Sequence, residues 1–178
     1  MSQGLTPEFA LGYRAMMIDG LKREAATTKK VIAAIPEDKT GYKPDEHART
    51  AWELAWHIAD TDVDFLDGIA DLKFTMDHGR DGKPTNITEL AAWYEKHMAR
   101  GLARVEAMSA EQLMTPVDFY GVFNLPSAFY LGFLNNHSIH HRGALATYLR
   151  PMGAKVPSIY GGSYDEPFQM PASDETAA

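Results

Sequence analysis

The sequence predicts an all-α fold: a four-helix bundle with long crossover connections and a Pro/Gly-rich C-terminal tail. Three observations carry that prediction. Four long stretches repeat apolar residues at the spacing of an amphipathic helix, and no run alternates convincingly as a strand does. The first three helical stretches also open on a capping signal. Four amphipathic helices satisfy their apolar stripes by packing on one another.

The first helix spans about residues 6–35. Thr6-Pro7-Glu8 supplies an N-cap, a proline at the first helical position and an acid in the first turn. Phe9, Tyr13, Met16, Met17, Leu21, Thr28, Val31, Ile32 and Ile35 then recur at helical spacing until Pro36 ends the pattern. Residues 36–49 read as a loop, with His47 exposed. Thr50-Ala51-Trp52-Glu53 fits a capping box and starts a second helix reaching about Leu72. Its apolar arc is Ala51, Leu54, Ile58, Phe65 and Ile69, with His57 at the edge and Glu53, Asp60 and Asp64 on the far flank.

Residues 74–86, including His78, are rich in turn formers and read as a loop. A third helix follows over about 87–108, capped by Asn86 with Glu89 three residues on, and His97 lies near its core face as a structural residue. Residues 109–126 read as a short helical turn and an irregular connection. The fourth helix runs from about Pro126-Ser127 to Arg150-Pro151, where Arg142 and Arg150 suit the negative end of its dipole. Beyond it, Val156-Pro157-Ser158-Ile159-Tyr160-Gly161 is the one apolar piece of the tail and is expected to pack back on the bundle. Residues 1–168 are therefore expected to form one domain, and 169–178 a disordered tail.

Composition narrows the function. A net charge of −7 and a pI near 5.4 argue against nucleic-acid binding, which needs clustered Lys and Arg. No apolar run approaches the ~20 residues that span a bilayer, and no basic amphipathic helix suggests a membrane surface. No signal-peptide pattern occupies residues 1–25, so a cytoplasmic protein is expected. With no cysteine, any metal site must be built from His, Asp and Glu.

The chemistry concentrates in Asn136-His137-Ser138-Ile139-His140-His141-Arg142-Gly143. His137 and His141, four apart, stack on one helical face among Tyr130, Phe133, Leu134, Ala144, Leu145 and Tyr148. A buried imidazole left unpaired costs about 1–3 kcal/mol, so the pair calls for hydrogen bonds or a metal. His57 from the second helix can complete a set of three nitrogens with an open fourth position, the arrangement of a catalytic metal. That position suits a water of lowered pKa or a thiol held as thiolate. Neutral imidazoles accept zinc, nickel, copper or iron(II) alike. A di-iron bundle requires Glu-x-x-His, and no histidine here has glutamate three residues before it. Glu53, one turn before His57, is the candidate base. Asp60, Asp64 and His140 are candidates for orienting the ligands or lining the pocket rim. For the acids as a group, a solvated face is the ordinary role.

The same octapeptide, followed by Tyr148-Leu149-Arg150, Val156-Pro157 and Tyr160-Gly161, resembles the closing signature of the DinB/YfiT-like superfamily of metal-binding four-helix bundles. Leu54-Ala55-Trp56-His57 extends the resemblance to the second helix. It implies one divalent ion, zinc or nickel, on His57, His137 and His141, and a homodimer. It also implies a metal-dependent enzyme acting on a small molecule, of the thiol S-transferase or hydrolase kind, with a low-molecular-weight thiol as co-substrate. The alternative is a non-catalytic, metal-stabilised dimeric binding or stress-response module. Where many relatives carry Gln after Arg-Gly, this chain has Ala144.

Overall fold

Four side chains start four helices. Thr6, Thr50, Asn86 and Ser109 each accept a hydrogen bond from the backbone N–H three residues on, at 3.2, 3.1, 2.9 and 3.2 Å. Each such cap is worth about 1 kcal/mol. The helices are α1 (Pro7–Ala33), α2 (Ala51–Ala70), α3 (Ile87–Glu106) and the short α4 (Ala110–Met114), and α5 (Tyr130–Leu149) completes the set. Single 3-10 turns lie at Glu37–Lys39 and Ser127–Phe129. The capping box at Thr50 is complete, with Glu53 returning a bond from the Thr50 backbone N–H. At α3 the returning acid reaches one residue further, to the backbone N–H of Thr85. This computed structural model describes residues 5–75 and 82–168. His78 and its loop tip, and the tail expected from 169, lie outside the described residues.

α1 and α2 each pack on both α3 and α5, which places α1 and α2 at diagonal corners of the bundle. The two long connections, α1 to α2 and α3 to α5, therefore both join diagonal corners, as expected from their lengths. α1 turns Ala10, Leu21, Thr28 and Val31 inward. Phe9 and Met16, counted in its apolar pattern, are instead 56% and 63% exposed. They lie roughly 100–120° round the helix from Ala10 and Thr28, off the packed face.

The connection from α4 to α5 is not irregular throughout. β1 (Pro116–Phe119) and β2 (Phe123–Pro126) form an antiparallel hairpin in the register Val117↔Leu125 and Phe119↔Phe123. Its turn needs positive φ at two successive residues, supplied by Tyr120 (53°) and Gly121 (73°). Asp118 Oδ2 accepts the Gly121 N–H at 3.0 Å. The Tyr130 hydroxyl, buried at the start of α5, donates to Val117 O at 2.7 Å and accepts from Leu125 N at 3.3 Å. That phenol ties the hairpin to the bundle.

Two glycines mark the tolerance of the packing. A Cβ on Gly101 of α3 would meet the Leu66 Cβ of α2 at 2.7 Å, whereas one on Gly12 of α1 would meet nothing. Overpacking of about 1–3 kcal/mol outweighs the gain of up to ~1 kcal/mol of Ala over Gly in a helix. Gly101→Ala should therefore lower the thermal midpoint followed by circular dichroism, and Gly12→Ala should raise it. The same sign for both would show that the α2–α3 contact is looser than this.

Candidate metal centre

α5 carries His137 and His141 one turn apart on the side facing α2, and α2 answers with His57. His57 Nε2 lies 3.2 Å from His137 Nε2 and 3.3 Å from His141 Nε2. One nitrogen from each ring lies within 4.8 Å of the other two. The rings meet at 61–85°, so their edges converge rather than stack. Two imidazole nitrogens bound at 2.0–2.1 Å to one tetrahedral ion are separated by about 3.3–3.4 Å. The observed spacing is one that could hold a metal ion.

The protonation of the rings agrees. His137 Nδ1 stands 2.9 Å from Asp62 Oδ1. A carboxylate only accepts, so Nδ1 carries a proton, and Nε2 is the nitrogen turned toward the His57 ring. His57 Nδ1 pairs with Thr61 Oγ1, one turn on, at 3.3 Å. The His57 pKa falls to about 4, through desolvation first, then the Arg49 charge and His137, with Asp60 opposing. His141 is likewise lowered to about 4, by desolvation and then by His137, His57, His140 and Arg49. Both rings are neutral at pH 7, the form that binds metal. The three ring nitrogens thus converge on one point, and a divalent cation among them could be held by all three. The donor set fits a metal ion.

Asp62 is the residue that the sequence reading missed. It has no solvent exposure and accepts from Tyr94 OH at 2.9 Å as well as from His137. Burial pushes its carboxyl above the ordinary range, while bonds from His137, Ser138 and Tyr94 oppose the rise. Burial and the Asp62 charge hold the Tyr94 phenol well above its usual pKa, so it remains a donor. One signal was available: Asp62 sits four residues after Ile58 and three before Phe65, an acid inside the apolar arc.

The other acids stand elsewhere. Glu53, expected to act as base, is exposed and instead has Oε2 engaged by Thr50 N and Oγ1 at 2.8 and 3.0 Å, bonds that lower its pKa. Asp60 lies close enough for its charge to act on His57. Asp64 lines a separate cleft of about 440 Å³ with Asp67, Asp71, Arg100 and Arg104. His140 is exposed, its ring 4.7 Å from that of His141, at the rim of the cluster. His47 is exposed as expected, and His97 stacks on Trp93 with ring centroids 4.2 Å apart.

Arg142 departs from its expected dipole role. It is 1% exposed and points into α1, where Nη1 meets the Glu24 carboxylate at 2.6 Å. Nη2 donates to Tyr160 OH at 2.6 Å, and that hydroxyl donates to Glu24 Oε2 at 2.8 Å. This clasp, with Val156 and Ile159 packed on the core, fastens the apolar piece of the tail to the bundle.

The sequence profile of the DinB family matches residues 1–173. The chain belongs to the DinB family. Among its DinB-family relatives, YrdA of Bacillus subtilis (strain 168) is 27% identical over 147 residues, covering 80% of this chain and 85% of that protein. The crystal structure of the DinB-like protein YjoA from Bacillus subtilis superposes with a TM-score of 0.69 at 25% identity. It covers 80% of this chain and 96% of the other. A DinB-like protein from Bacillus cereus ATCC 10987 gives a TM-score of 0.69 at 26% identity, covering 81% and 95%. Among the described residues, no helix is long and apolar enough to cross a membrane.

Asp62→Asn is expected to weaken zinc binding about 10–100-fold, the usual loss when a partner of a ligating histidine is removed. Chelator competition measures this. An unchanged affinity would remove Asp62 from the site.

Proposed function

We propose that this DinB-family protein is a metal-dependent enzyme. It holds one divalent transition-metal ion, zinc or nickel, on His57, His137 and His141, and activates a small thiol or water for transfer or hydrolysis on a small molecule. The observation that carries the reading is the pair of Nε2 separations, 3.2 and 3.3 Å, which match the edge of a tetrahedral site. When bound, an ion held by three neutral imidazoles supplies Lewis acidity at its open position.

The chain's own groups divide the remaining work. Asp62 holds the His137 ring in one orientation and one tautomer. His140, exposed beside His141, stands at the rim of the cluster. Arg49, exposed and near enough for its charge to act on His57 and His141, favours an anionic co-substrate. A thiol suits this set better than water. Its pKa of about 8.5 requires far less lowering than that of water, and the Glu53 carboxylate is engaged at the helix cap. A cytoplasmic setting, where small thiols stay reduced, and a homodimer belong to the same proposal.

One observation favours a second reading, a non-catalytic metal-stabilised module. Glu53 and Asp62 both have their carboxylates committed to partners within the fold.

The deciding experiment is elemental analysis of the untagged protein beside His137→Ala, followed by a thiol-transfer screen with the metal found. About one transition-metal ion per chain, lost in the variant, together with thiol-dependent turnover, is the expected result. Metal without turnover of any thiol or ester would leave the module. No metal even after incubation with zinc or nickel would defeat both. Stripping the ion should also lower the thermal midpoint, since a ligand at a hundred times its Kd stabilises the folded state by about 2.7 kcal/mol. A midpoint indifferent to added zinc would contradict specific binding.

A further inference from the structure

The hairpin carries more apolar surface than its packing uses. Cross-strand pairing sets Phe119 opposite Phe123 and Val117 opposite Leu125, so these four side chains share one face of the ribbon. Val117 is buried, and Phe119 and Leu125 pack on the core. Phe123, at the end of the same face, stays 42% exposed.

That exposed ring leads to the histidines. Between ring centroids, Phe123 lies 5.3 Å from Phe133 and 6.5 Å from Phe119. Phe133 is one turn before His137 on α5, on the face that carries His137 and His141. Phe119 stacks on Phe65 at 5.6 Å, and Phe65 stands 6.1 Å from the His137 ring. The run is therefore dry at Phe65 and open to solvent at Phe123. A single exposed apolar side chain needs no explanation. An apolar strip continuous with a few convergent polar groups is the usual make-up of a small-molecule site.

Position along the α2–α5 contact assigns the occupant. His57 lies midway between Arg49 and Phe65, eight residues from each. Tyr148, at the end of α5, donates to the Arg49 carbonyl at 3.3 Å, whereas Phe65 meets His137 nearer the start of that helix. Each end is on the order of 12 Å along α2 from His57. The charged end suits the anionic thiol. The aromatic end is left for the second reactant, and its rings are complementary only to an apolar group.

We propose that Phe123 and Phe133 are specificity-determining residues that receive the electrophilic co-substrate, a small molecule with an aromatic or alkyl group beside its reacting atom. This deepens the metal-dependent reading above and rests on it.

Two zinc-binding probes of different apolar size test it: acetohydroxamate and benzohydroxamate, titrated by calorimetry into the zinc-loaded protein. Wild type should bind benzohydroxamate about 10-fold more tightly, as partial burial of a phenyl ring allows. Phe123→Ala should cut that preference to about 2–3-fold, and Phe123→Leu should restore most of it. An equal preference in wild type and Phe123→Ala would overturn the proposal. So would a wild-type dimer that Phe123→Ala separates in sedimentation, because the ring would then belong to a contact with a second copy. Should Phe123→Ala not fold, Phe133→Leu reads the neighbouring ring with the same expectation.

If the wild type binds no zinc, the metal reading fails by itself, and the metal-free protein still tests the aromatic end. Added benzyl alcohol, followed by NMR of the ring protons, should shift Phe123 and Phe133 in preference to the exposed Phe9 and Phe168. Shifts spread evenly over the exposed rings would sink it.

Discussion

A carboxylate withdrawn from water must be surrounded by donors, and Asp62 imposes that requirement on the whole bundle. Desolvating an ion has an effective penalty of several kcal/mol even after relaxation. Its donors come from two other helices: Tyr94 from α3 and His137 from α5. Sliding α3 or α5 by one turn along α2 would leave the carboxylate buried and unpaired. The apolar stripes bring these helices together, because hydrophobic packing is non-directional. Asp62 selects the register in which they meet.

That register also determines the site. Two histidines four apart on α5 can place two nitrogens on one face, but only a third from another helix makes them a ligand set. The α2–α5 contact brings His57 to 3.2 and 3.3 Å from its partners while leaving the cluster partly open to solvent. His137 is 15% exposed at its side chain, whereas Asp62 behind it has none. The dry side orients and the wet side is accessible. A metal centre that exchanges ligands requires both.

Much of this was legible in the chain. Helix limits follow from capping residues and apolar spacing, which act locally, so α1, α2 and α3 fall within one or two residues of their expected bounds. The i, i+4 histidines and His57 were legible because few residue types bind metal and cysteine is absent. Long-range effects were not. The hairpin has four-residue strands flanked by prolines, too short for an alternation to register, and a buried phenol at Tyr130 holds it. Arg142 reads as a surface cation until its partner, Glu24, 118 residues away, is in place. Asp62 was hidden among four other acids on α2, three of which sit off the apolar arc near His57.

The buried polar group of Tyr94, Asp62 and His137 is poorly explained as a stabilising device. Replacing a whole buried ionic network by apolar residues of equal volume is often neutral or favourable, while removing a single member leaves its neighbours unpaired and is strongly destabilising. The two costs have different meanings. The first measures what the network adds to stability, and the second only the penalty of breaking it. A network that adds little to stability is better understood by what it specifies. The Tyr94 phenol and His137 Nδ1 both donate to a carboxylate that only accepts, which leaves one arrangement in which each of these protons has an acceptor. Apolar side chains of the same shape would pack as well and specify nothing about the orientation of His137.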